Sequence, residues 1–224
     1  LYLWKYHFNY GKDGKSILSS RADRNVFDKR RDHDIKREAV LHIAAEMFNK
    51  RGYAATSLDE IAKHFGISKT ALYYYVKSKP VLLQMCYELT LNLCEEIMRE
   101  VLESEATGIE KIEAYFRGVI GGILKTGPVA IVHEFATLPE AAFDSIHKRA
   151  RGLDSDLASI IEEGIADGSI AEVPPKLTEL ILMGANNWIQ RWYNPDGEKT
   201  TQEVADCFVY LFINGLKARS KDDI

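Results

Sequence analysis

An all-α fold is predicted by three features of this 224-residue chain. From Ile35 onward, apolar residues recur at i, i+3, i+4 spacing, the period of a helix with one buried face. Gly and Pro fall where they would separate helices rather than turn hairpins: Gly52, Gly66, Gly108, Pro139 and the pair Pro174–Pro175. Two capping boxes, Ser57 with Glu60 and Thr200 with Glu203, mark helix starts. No strand pattern finds a partner, and no internal repeat is visible.

Residues 1–33 are expected to be an N-terminal extension or arm. Tyr2, Trp4, Tyr6, Phe8 and Tyr10 alternate like a strand with nothing to pair against. The stretch Gly11–Ser16 resembles the end of a phosphate-binding loop, but the first glycine of that pattern would fall on Asn9. Residues 21–34 read as a mixed-charge arm. The first helix follows from Ile35, with Ala39, Val40, Ile43, Ala44, Met47 and Phe48 on one face, and Gly52 stops it. A second helix, about Leu58–Phe65, starts at Ser57 and ends at Gly66. A third, about Lys69–Val76, is capped by Ser68. A fourth opens at Ser78, carries Pro80 in its first turn, and reaches about Glu105. Beyond it, helices are expected from Gly108 to about Lys125, a shorter one to about Leu138, then Pro139 to about Gly168, Pro175 to about Tyr193, and Thr200 onward.

With 46% hydrophobic and 28% charged residues, a sizeable core is expected and global disorder is excluded. No apolar run is long enough for a transmembrane helix, no secretory signal is read, and Cys86, Cys94 and Cys207 lack metal or redox spacing. A cytoplasmic protein with reduced cysteines and no membrane partner is expected. The net charge of −4 is unevenly spread. Residues 1–80 hold 16 Lys and Arg against 9 Asp and Glu, a net +7; residues 81–224 hold 13 against 24, a net −11. A basic N-terminal third on an acidic body suits a local nucleic-acid face.

The second and third helices, joined by a tight turn at Gly66–Ser68, have the punctuation of a helix-turn-helix, whose second helix enters the DNA major groove. Ile67, Ala71, Leu72 and Val76 face inward, leaving Lys69, Thr70, Tyr73, Tyr74 and Tyr75 to be shared among solvent, partner and core. Helix propensity does not explain three successive tyrosines. A phenol can donate to a phosphate and pack its ring on sugars or thymine methyls. Lys69 and Thr70, at the helix start, are placed for base edges. Lys79 sits at a helix N-terminus, where backbone N–H groups also favour phosphate.

The stretch from about Asp34 to Cys94, with "AAEMFNKRGYAATSLDEIA" and "GISKTALYYYVKSK", resembles the DNA-binding domain of the TetR family of bacterial transcriptional regulators. Gly52, Tyr53, Thr56, Ile61, Ala62, Gly66, Ser68, Leu72, Tyr73, Tyr75 and Lys79 carry the likeness; Val76 stands where phenylalanine is more usual. The resemblance implies a DNA-binding domain over 34–94 and a helical ligand-binding and dimerisation domain over 95–224. It implies phosphate contacts from Thr56, Tyr73, Tyr75 and Lys79, base approach by Lys69, Thr70 and Tyr74, and Ser57 among the DNA-contacting residues.

The body carries its own signals. Val204, Phe208, Leu211, Phe212 and Leu216 form a stripe on the last helix, and Leu177, Leu180, Ile181, Leu182, Gly184, Trp188 and Trp192 enrich the one before it. Two such helices from each chain would make a four-helix, two-fold homodimer interface; burial within their own domain is the alternative. Gly118, Gly121, Gly122 and Gly184 suggest close helix approach or cavity space. "NNWIQRWYNPDG" (186–197) resembles a TetR branch that senses acyl-coenzyme A thioesters. That likeness makes Asn187, Trp188, Arg191 and Trp192 candidate ligand contacts, the arginine for an anionic phosphate and the indoles for stacking. His133, in a short apolar helix, is a further candidate ligand contact, with a structural role as the default. The basic cluster His147, Lys148, Arg149, Arg151 could meet CoA phosphates or be a solvated face.

The expectation is a homodimeric repressor without cofactor, not an enzyme, released from palindromic operator DNA by an effector such as a CoA thioester. Its recognition helices would lie about 34–36 Å apart, and a coupling of about 1–3 kcal/mol would lower DNA affinity roughly 5–150-fold. A drug-sensing repressor of efflux is the rival within regulation. An all-α enzyme is the rival outside it, disfavoured because the chain has no HExxH, no paired His/Cys arrangement and no intact phosphate loop.

Overall fold

The computed structural model describes the backbone of residues 21–126, 137–194 and 196–216, and within those spans the side chains from residue 33, other than 125 and 126. Eight α-helices and no strand occur among the described residues. The expected short helix before Leu138 falls largely on 127–136, outside the described residues.

The chain divides into two units at Ala39. In the first, helix begins at Arg21 rather than Ile35, so the mixed-charge segment is helical, not an irregular arm. α1 (Arg21–Arg51) contains no Gly or Pro, and its charges are of both signs, including Arg24–Asp28 and Asp32–Lys36 at i, i+4 spacing.

The second unit, from Val40, starts with the buried end of α1, where Val40, Leu41, Ala44, Ala45 and Phe48 are almost wholly removed from solvent. Gly52 takes φ 86° and turns the chain. α2 (Leu58–Phe65) ends at Gly66, whose φ of 77° lets its own N–H and that of Ile67 close back on Lys63 and Ala62 carbonyls at 3.2 and 2.9 Å. α3 (Lys69–Leu72) is shorter than expected. The tyrosines lie in the turn beyond it, held by i→i−3 bonds from Tyr74 to Ala71 and from Tyr75 to Leu72. The chain must leave the helix there, because Val76 is pinned in the core and Ser78 is extended (φ −161°) to cap α4 (Lys79–Leu102). α4 runs unbroken past residue 94. Its buried residues include Leu82, Leu83, Leu91 and Met98, and the Cys86 thiol meets the Leu41 carbonyl at 3.5 Å.

In the body, α5 (Gly108–Thr126) is central, packing on α4, on α6 (Glu140–Ala166), on α7 (Pro175–Trp192) and on α8 (Thr201–Leu216). At its start the Glu110 carboxylate accepts the Thr107 amide at 2.9 Å and the Thr107 hydroxyl at 2.7 Å. Two further α5 amides are capped from beyond α6: Gly108 donates to Asp167 at 2.9 Å and Ile109 to Ser169 at 3.1 Å. Gly118 and Gly122 do allow close helix approach, since a Cβ there would lie 2.9 Å from Ile97 and Leu93 of α4; Gly121 and Gly184 face open space. Phe116 of α5 packs on Phe208 of α8, ring centres 5.2 Å apart, and Arg117 pairs with Asp206.

Candidate nucleic-acid interface and effector body

The exposed surface around α3 is built from three consecutive capped helix starts. At α2, Ser57 donates its amide and hydroxyl to the Glu60 carboxylate, both at 2.8 Å, and its hydroxyl oxygen accepts the Glu60 amide at 3.2 Å. These bonds, with Arg51 and Lys79 nearby, hold the Glu60 carboxyl below its usual range. Ser57 is therefore exposed but engaged as a cap. At α3, the Ser68 hydroxyl accepts from the Ala71 amide at 3.1 Å. At α4, Ser78 accepts from Val81 at 3.4 Å.

Between these caps stand the residues expected to meet DNA. Thr70 is exposed; Tyr73 and Tyr74 are 47% and 75% exposed. Tyr75 is half-buried against the core, its ring edge-on to Tyr74 with centres 5.4 Å apart. Lys79 lies with Nζ 4.2 Å from the Tyr53 ring centre and 3.5 Å from the Ala54 carbonyl, an arrangement that steadies its stem beside the α4 start. Lys69 is paired with Asp59 of α2 at 2.9 Å. Thr56 requires a correction. It is 1% exposed, and its hydroxyl proton is directed inward, toward the carbonyls of Gly52 at 3.0 Å and Met47 at 3.3 Å, while its amide donates to Tyr53. A threonine has one hydroxyl proton. Here it secures the turn between α1 and α2 and is not offered to a phosphate. Sequence reasoning missed Asp59 and Tyr53 as partners of the surface lysines. Ten and 26 positions separate the pairs, beyond any within-helix spacing rule.

The body also departs from expectation. Asn187, Trp188, Arg191 and Trp192 lie on the outward face of α7 and do not converge on a cavity; Trp188 and Trp192 are 59% and 54% exposed. The amide turned inward is the neighbouring Asn186, 4% exposed, which with Gln190 and Ile189 faces Ile120, Ile123 and Leu124 of α5 across a crevice too narrow to hold a water. His133 lies outside the described residues. In the basic cluster, Arg149 is committed to Glu95 through two 2.7 Å bonds and to Asn92. It borders an open groove of about 410 Å³ that also carries Lys148 and Asp156. Burial pushes the Cys94 thiol up to about 12 and the Cys86 thiol up as well, so neither is a nucleophile near neutral pH.

The expected dimer stripe on α8 is mostly internal: Val204, Phe208 and Leu216 are buried within their own chain, and Phe212 packs at a tilt on Phe208, ring centres 4.5 Å apart. The i, i+3, i+4 pattern identified the core face, which every amphipathic helix has. Leu211 does face outward, with Tyr210 beside it; on α7, Leu177, Ile181, Trp188 and Trp192 form one exposed row. No described helix is long and apolar enough to cross a membrane, and no group of three or more His, Cys, Asp or Glu among the described residues could hold a metal.

A capped helix-turn-helix presenting phenols and lysines, continuous through α4 with an all-helical body, defines a DNA-binding transcriptional regulator. The chain belongs to the TetR family: residues 40–86 match the profile of bacterial regulatory proteins of the tetR family, and 105–216 that of the tetracyclin repressor-like C-terminal domain. The HTH-type transcriptional repressor KstR2 of Mycolicibacterium smegmatis is 25% identical over 195 residues, which cover 84% of this chain and 93% of that protein. The crystal structure of AibR in complex with isovaleryl coenzyme A and operator DNA is 28% identical, covers 79% of this chain and 97% of its own, and superposes with a TM-score of 0.66. The ketosteroid regulator KstR2 of Mycobacterium tuberculosis, at 22% identity and a TM-score of 0.68 over 82% of this chain and 95% of its own, shares the fold.

Proposed function

We propose that this regulator is a cytoplasmic homodimeric repressor released from operator DNA by a CoA thioester. The observation that carries the reading is the likeness, along nearly the whole of AibR, to a protein seen with both isovaleryl coenzyme A and operator DNA. In this reading Tyr73, Tyr75 and Lys79 hold phosphates, while Lys69, Thr70 and the outermost phenol, Tyr74, approach bases. The exposed row on α7, with Tyr210 and Leu211 of α8, is the homodimer face; apolar surface of this extent is what an obligate interface covers. Effector contacts then fall to inward groups of the body, with the amides of Asn186 and Gln190 as the polar candidates between α5 and α7. The long α4 transmits the change, since it caps the DNA unit at Ser78 and packs against α5 and α6.

The test is a gel shift on DNA upstream of the protein's own gene, with a panel of CoA thioesters, free CoA and cationic or neutral drugs. Release by a thioester alone supports the reading. Release by drugs and by no thioester overturns it in favour of an efflux regulator.

A further inference from the structure

We propose that Asp59 is a positioning residue that acts through Lys69, holding this lysine on the protein and so setting how strongly DNA of the wrong sequence is refused. Lys69 is the first residue of α3, and Asp59 lies in the first turn of α2; the turn at Gly66–Ser68 brings them together. Lys69 Nζ is 2.9 Å from one carboxylate oxygen of Asp59 and donates to the other at 3.0 Å. The pairing raises the Lys69 pKa, chiefly through this hydrogen bond. Asp59 has no capping duty, since Ser57 and Glu60 close the α2 start between them. Among the described residues the only hydrogen-bond partner of its side chain is Lys69.

Both groups remain more than half exposed, so the pair is open to competition. Non-specific DNA binding is a sum of phosphate contacts. A phosphate that draws Lys69 away leaves the Asp59 carboxylate unpaired beside the polyanion, and the exchange of one ion pair for another gains little. A base edge with two acceptors in fixed geometry, such as guanine O6 and N7, offers more than a phosphate does. Asp59 thus penalises unspecific use of Lys69 and preserves its use at a matching base.

This role rests on the proposed placement of Lys69 against DNA, and the experiment separates the two. Binding of the full chain to a duplex selected from random sequence, and to a scrambled duplex of equal length, is measured by fluorescence anisotropy over a salt series. The proteins compared are the wild type, Asp59→Asn, Asp59→Glu, Lys69→Ala and the double variant Asp59→Asn/Lys69→Ala. Asp59→Asn is expected to tighten the scrambled duplex about 1.5- to 5-fold, the worth of an exposed ion pair. It should steepen the log–log salt slope by about 0.9, one more phosphate neutralised, and narrow the ratio between selected and scrambled DNA. Asp59→Glu, which keeps the charge, is expected to behave as wild type. In the Lys69→Ala background, Asp59→Asn should leave slope and ratio unchanged. Equal effects of Asp59→Asn with and without Lys69 would overturn the proposal, because the carboxylate would then act as a general charge. A Lys69→Ala variant with unaltered affinity and preference would instead overturn the placement of Lys69 against DNA.

Discussion

Trp188 separates two readings of α7, as a ligand-contacting helix or as a dimer face. Its side chain is 59% exposed in the single chain. A tryptophan can bury roughly 200 Å², so about 120 Å² per chain, and about 240 Å² per dimer, is available for an interface to cover. At about 25 cal/mol per Å² this is about 6 kcal/mol if covered completely. With half of it covered, Trp188→Ala should cost about 3 kcal/mol and weaken dimerisation by about two orders of magnitude. Sedimentation equilibrium over a dilution series measures this directly, and operator binding at the same concentrations should fall in parallel, since two recognition helices are needed per site. Retained helical circular dichroism separates dissociation from unfolding. An unchanged dimer dissociation constant would refute the interface reading. If thioester affinity fell at the same time, the residue would be a ligand contact as its sequence neighbourhood suggested.

Other consequences follow from the same geometry. Gly108→Ala should destabilise the fold by about 1–3 kcal/mol, because the added Cβ would lie 2.3 Å from the Gly164 Cα, a backbone atom with no rotamer to give. Gly121→Ala, with nothing within 4 Å, should stabilise by up to about 1 kcal/mol; thermal unfolding checks both, at about 2–4 °C per kcal/mol. Glu203 is held down from the usual 4.5 to about 2 by the Thr200 amide, Lys199 and the Thr200 hydroxyl. A depressed carboxylate stabilises above its unfolded pKa and loses that contribution as pH falls through the folded one. Glu203→Gln should therefore show a shallower stability loss than wild type between about pH 4.5 and 2 in acid melts. Lys79→Ala should weaken selected and scrambled DNA alike and flatten the salt slope by about 0.9, read by anisotropy.

The helical register was legible because caps and breakers are local. Ser57, Ser68 and Ser78 each open the helix that their spacing announces, and Gly66 closes α2 in the left-handed conformation. The Thr107–Glu110 pair, bonded at the start of α5, has the same spacing and could have been read. Within the candidate DNA surface, exposure of Tyr73 and Tyr74 followed from the inward set of Leu72 and Val76. What was not legible depends on distance across the fold. Thr56 is drawn inward by carbonyls of the preceding turn, and Lys69 is held by a carboxylate on another helix. On α7 and α8 the apolar period marks a buried face but does not say what buries it. Phe208 is covered by Phe116 of its own chain, whereas the Leu177–Trp192 row stays exposed among the described residues.

The central claim is that effector and operator oppose each other through one dimer. Linkage makes the opposition reciprocal: the factor by which a thioester weakens operator binding must equal the factor by which operator weakens thioester binding. The most direct measurement is therefore a pair of equilibrium titrations, operator affinity with and without saturating isovaleryl coenzyme A, and thioester affinity with and without saturating operator. One common factor, roughly 5–150, is expected from both titrations. Thioester binding of equal strength to free and operator-bound protein would contradict it.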